Sequence, residues 1–134
     1  MKKDLQRFLV FQLVALVWAL AMFRLIEIKW QAGLMAGGMF VALGLFMVLR
    51  SLRWIGRFRM ASFYLARIHL WLFALPMVLV RLRFLGHDFA DLHFLGISGP
   101  IYHRISEMAF LIMVAATLVD WLRVRAAENK KALG

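Results

Sequence analysis

The sequence predicts an all-α integral membrane protein, a four-transmembrane-helix bundle with a structured, partly apolar outer loop between helices three and four. Three observations predict it. Residues 8–26, 34–49, 63–80 and 105–122 form apolar stretches, each close to the ~20 residues a helix needs to cross a ~30 Å hydrocarbon core. Of 134 residues, 64% are hydrophobic and mean hydropathy is +0.79, more apolar surface than one soluble core of this size can hide. Basic residues crowd the flanks of these stretches on alternate sides. With their ends included, the helices are expected near 8–26, 33–50, 62–82 and 101–123, in one domain over 1–134 whose remainder is loop or tail.

The first stretch imitates a secretory signal peptide: Lys2 and Lys3, an apolar run from Phe8, and small residues at Ala19-Leu20-Ala21. The run continues through Met22 and Phe23, so it reads as a helix that is kept. Helix two carries Gly33-xxx-Gly37, Gly38-xxx-Ala42 and Gly44, and helix one carries Ala15-xxx-Ala19. Lipid offers no hydrophobic gain for helix association, so such small residues mark close approach. The short first connection then favours an antiparallel hairpin packed along those faces. The alternative is that the glycine face binds a second copy or another subunit. Helix three contains Pro76, whose missing N–H and bulky ring disturb the preceding turn, and a kink is expected there. Ser98-Gly99-Pro100 reads as the start of helix four, with Pro100 at the first helical position and Ser98 or Gly99 as cap.

Orientation follows from the Lys and Arg distribution. Eleven lie at the N-terminus (Lys2, Lys3, Arg7), in the second connection (Arg50, Arg53, Arg57, Arg59) and in the C-terminal tail (Arg123, Arg125, Lys130, Lys131). Five lie in the first and third connections (Arg24, Lys29, Arg81, Arg83, Arg104), and Arg67 is the seventeenth. The positive-inside rule places both termini in the cytoplasm, as an even number of spans requires, and the composition suits a bacterial inner membrane. In the second connection Arg50, Arg53 and Arg57 share one helical face, away from Trp54, Ile55 and Phe58. That face reads as a topology marker near anionic headgroups, the alternative being a docking surface for an acidic partner.

Several function classes are excluded. No cysteine means no disulfide, thiolate metal site or iron–sulfur cluster. The net charge of +10 could suggest nucleic acid, but its residues flank apolar segments, so none is expected as a partner. A proton-coupled four-helix exporter needs an acid midway along helix one, where this chain has only Gln12 before Arg24.

The ionisable residues within helices are Arg67 and His69 in helix three, and Glu107 and Asp120 in helix four. Tyr64 and Trp121 set Arg67 and Asp120 at one interfacial depth. A structural ion pair between them is the economical expectation. His69 lacks a histidine at its own depth, since His87, His93 and His103 belong to the opposite side; haem is not expected, and His69 reads as a hydrogen-bonded packing residue. The third connection holds His87, Asp88, Asp91, His93, His103 and Glu107. His103 and Glu107 fall at i, i+4 on one face, and a short helix near 87–95 would do the same for His87 and Asp91. Imidazole with carboxylate suits zinc or a similar divalent ion. The competing reading gives these residues ordinary loop and capping roles, and no cofactor is predicted. The functional expectation is a non-enzymatic accessory or scaffold subunit of a larger membrane assembly, with lipids and other membrane subunits or its own copies as partners. The alternatives are a small oligomeric transporter or channel, and a metal- or haem-binding redox or sensing subunit.

Overall fold

The computed structural model describes residues 2–52 and 60–133. Four helices, α1 (Lys2–Leu25), α2 (Lys29–Ser51), α3 (Ala61–Arg83) and α4 (Gly99–Leu133), are long and apolar enough to span a membrane. Each outruns its apolar stretch. α1 takes in the basic N-terminal segment, where Leu5 and Phe8 are fully buried. α4 continues through the segment expected as a tail, because Ala126, Ala127, Glu128, Lys130 and Lys131 are good helix formers that hydropathy does not mark.

α1 packs against α2 and α4, and α3 packs against the same two helices. One core cluster joins Leu5, Phe8 and Ala15 of α1 to Leu43 and Met47 of α2, Phe63 and Ala66 of α3, and Phe110 and Met113 of α4. A second joins Leu92 and Phe94 of the third connection to Tyr102, with Phe73, Met77 and Val80 against it. The outward faces are apolar: Val17 (65% exposed), Trp71 (63%) and Met108 (64%) are examples from three helices. The buried set, by contrast, includes Gln12, Ser62, His69, Arg81, Thr117 and Asp120. Outer faces as apolar as the core, with several polar groups among the buried residues, are what a lipid-facing bundle shows and a water-soluble one does not.

The glycine face of α2 receives α3, not α1. A Cβ at Gly33 would land on the Arg81 guanidinium, one at Gly37 would lie 2.8 Å from Val78, and one at Gly44 would lie 2.9 Å from Leu70. Gly38 and Ala42 point outward, with nothing within 4 Å of a Cβ at Gly38. One residue further along is about 100° round the helix, so these two sets cannot share a face.

Pro76 makes itself felt as a π-helical run, His69–Ala74, immediately before the α-helical segment Leu75–Arg83. The wider turn relieves the clash an α-helical register would impose between the proline ring and the Leu72 carbonyl. The third connection holds no helix over 87–95. A single 3₁₀ turn, Phe89–Asp91, leads to a hairpin of β1 (His93–Phe94) and β2 (Ile97–Ser98), antiparallel, pairing His93 with Ser98 and Phe94 with Ile97. Leu95 (φ 53°) and Gly96 (φ 81°) both occupy the left-handed region, as a type I′ hairpin turn requires. Phe94 is buried and stacks on Tyr102 at 4.9 Å. The Gly99 N–H donates to the Leu92 carbonyl at 2.9 Å, tying the hairpin to the start of α4.

Candidate functional site

All four helices contribute to a cavity of about 250 Å³ near the ends that carry the third connection. Leu16, Leu20, Phe40, Phe110 and Leu111 supply apolar walls, while His69, Arg81, His103, Ser106 and Glu107 supply the polar groups.

Arg81, two residues before the end of α3, is only 8% exposed. Its guanidinium packs on the bare Cα of Gly33 and lies over the Phe89 ring, 4.4 Å from the centroid. A cation over an aromatic face gains about 0.5–2 kcal/mol, more as water is removed. Among the described residues Arg81 forms no ion pair and no side-chain hydrogen bond. The charge count treated Arg81 as one topology marker among many. No local pattern links it to Gly33 or Phe89, which reach it from α2 and the loop.

At the cavity's mouth the His103 Nε2 and Glu107 Oε1 are 2.9 Å apart, the i, i+4 contact their spacing predicts. The His103 Nδ1 is buried without a hydrogen-bond partner, and the Phe89 ring sits edge-on 6.0 Å away. His87 and Asp91 do not join this pair. Both are exposed, His87 lies against Phe84, and the extended Asp88 with the 3₁₀ turn after it removes the helical register that would have aligned them. Asp88 and His93 are exposed as well. Among the described residues no three His, Asp or Glu side chains gather closely enough to hold a metal ion.

His69 opens the π-helical run and is 5% exposed, ringed by Phe40, Phe73 and Phe110 at centroid distances of 5.5–6.1 Å. The expected hydrogen bond is absent among the described residues; its packing is aromatic. Nor is His69 remote from the other histidines, because it and His103 line one cavity. Contacts of Phe73 with Tyr102, and of His69 with Phe110, set His103 about two helical turns above Phe110 and so above His69.

The ion pair expected between Arg67 and Asp120 does not form among the described residues. Asp120, 4% exposed, instead accepts a 2.9 Å hydrogen bond from the Ser62 backbone N–H. It meets the first turn of α3 rather than the second, where an orphan N–H and the positive end of the helix dipole attract a carboxylate.

Two further polar contacts escape a reading by depth. Gln12 is fully buried and donates from Nε2 to the Thr117 hydroxyl at 2.9 Å, with Met47 sulfur at 3.4 Å; Thr117 in turn donates to the Met113 carbonyl at 2.8 Å. Arg50 does not face outward with a basic stripe but donates to Asp4 at 3.1 Å, joining the end of α2 to the start of α1. Arg53, Trp54, Ile55, Arg57 and Phe58 lie outside the described residues.

No protein-family model, curated protein or solved structure matches this sequence.

Proposed function

We propose that this chain is an integral protein of the bacterial inner membrane, a four-helix bundle with cytoplasmic termini. In this reading it acts without catalysis, as a small accessory subunit that holds an amphipathic ligand between its helices. The observation that carries the reading is the cavity itself: apolar walls from every helix, with the cation of Arg81 at one end and the imidazole of His69 deeper in. Pockets that hold ligands combine mostly apolar linings with a few placed polar groups. Membrane insertion is supported by the outward apolar faces and inward polar groups, and the orientation by the eleven-to-five basic skew. The outward Gly38 and Ala42 of α2 support the subunit role, since small residues admit a partner helix closely.

Native mass spectrometry of protein released from membranes in mild detergent tests the reading. A small amphiphile should travel with the chain. Ala36→Phe, which fills the cavity from α2, should remove it while leaving the fold helical by circular dichroism. Protein that carries no amphiphile and takes up none when supplied would overturn the binding role. Stable membrane partners in the same preparation would support the subunit role, and their absence would count against it.

A further inference from the structure

We propose that the ligand's head is anionic, a carboxylate or phosphate on a single apolar chain, and that Arg81 holds it. The inference rests on the cavity being a ligand site.

Four observations lead to it. First, Arg81 is 92% buried, the complement of its 8% exposure, and has no acidic partner among the described residues. A cation removed from water is costly unless paired, and the Phe89 ring offsets only part of that cost. Second, the guanidinium is positioned rather than merely tolerated. Gly33 leaves the space it occupies and Phe89 covers one face, while its cavity side stays open. A planar fork of N–H donors fits a carboxylate or phosphate with two parallel bonds. Third, the depth is right for an amphiphile. Arg81 lies about 30 Å of helical rise from Ala61, at the far end of α3, so a head on Arg81 sits at the membrane surface. The apolar walls at Leu16, Phe40 and Phe110 then receive the chain below it. Fourth, about 250 Å³ falls under the ~300–1,000 Å³ of drug-sized pockets, a volume for one chain and not two.

Glu107 also borders the cavity, and a cationic head would be its natural guest. Its carboxylate is already engaged by His103 at 2.9 Å and its side chain is 61% exposed, whereas Arg81 is buried and has no acidic partner among the described residues. The uncompensated charge in the cavity is therefore positive, and it calls for an anion.

The test uses the whole protein in non-ionic detergent, with dodecanoate, dodecyl phosphate, dodecanol and dodecylammonium titrated separately and binding read by native mass spectrometry and thermal shift. The two anions should bind at least about tenfold more tightly than dodecanol, as a charge-assisted bond to guanidinium implies. Whichever anion binds better separates a fatty-acid source from a phosphate-headed one. Arg81→Gln should lose the anion preference and keep dodecanol binding, whereas Arg81→Lys should retain a preference for anions. Gly33→Ala keeps the charge but displaces the guanidinium, so it should weaken anion binding severalfold. It also serves as the informative variant where Arg81→Gln is poorly folded. Equal binding of anions and dodecanol, a preference for dodecylammonium, or anion binding unchanged in both Arg81→Gln and Gly33→Ala would overturn the inference while leaving the cavity as a binding site. Failure of all four probes would overturn the site itself.

Discussion

Replacing Asp120 should damage this protein through a helix end, not through an ion pair. The carboxylate is 4% exposed and its one hydrogen bond among the described residues comes from the Ser62 N–H at 2.9 Å. A hydrogen bond to a charged group is worth about 1.5–3 kcal/mol, and an N-terminal cap about 0.5–2 kcal/mol. These describe the same contact, so they overlap rather than add. Asp120→Ala should therefore cost about 2 kcal/mol. Asp120→Asn keeps an acceptor oxygen and loses the favourable charge at the helix N-terminus, a loss of about 1 kcal/mol. Arg67→Ala should stay within about 0.5 kcal/mol, as expected of a partly exposed side chain with no ion pair or side-chain hydrogen bond among the described residues. In a double-mutant cycle, followed by reversible unfolding in mixed micelles, the Arg67 and Asp120 effects should add to within about 0.5 kcal/mol. A coupling energy above about 1 kcal/mol, or Asn proving as harmful as Ala, would refute the capping argument and restore the ion pair.

Other outcomes follow from the same geometry. Thr117→Val should destabilise by about 1 kcal/mol, since interhelical side-chain bonds in membranes average ~0.6 and reach ~1.7 kcal/mol, and here an amide donor is left with only a weak sulfur acceptor. Gln12→Leu should cost less than Thr117→Val in the same unfolding assay, because it also removes a buried Oε1 that has no partner among the described residues. If the larger loss came from Gln12→Leu, the unpaired oxygen would be making a contact of its own. Zinc should leave the melting temperature unchanged, because His103 and Glu107 meet without a third ligand among the described residues; a zinc-dependent rise abolished by His103→Ala would reinstate the metal reading. In intact cells, a membrane-impermeant thiol reagent should label Asp88→Cys, exposed in the third connection, and spare Glu128→Cys near the end of α4. The reverse would invert the proposed orientation. The Glu128 side chain is 51% exposed, so only the membrane would shield a cysteine there.

By itself the sequence determined the existence and order of four helices long and apolar enough to cross a membrane, because length and hydropathy are local sums that need no partner. It also put His103 and Glu107 on one helical face, where i, i+4 side chains are within reach of each other; that they meet at 2.9 Å is the structure's addition. Helix ends were less legible: polar residues such as Lys130 and Lys131 extend a helix without any hydropathy signal. The loop defeated helical spacing because Asp88 is extended (ψ 137°) and only a 3₁₀ turn, Phe89–Asp91, follows it, so His87 and Asp91 never share a helical face. Only tertiary structure decided which helix met the glycine face of α2, and hence that Gly33 exists to seat Arg81. It alone turned Asp120 toward Ser62 and brought His69 into one cavity with His103. Each of these depends on the rotation and relative height of two helices. Those quantities come from packing summed over whole interfaces, and no window of sequence contains them.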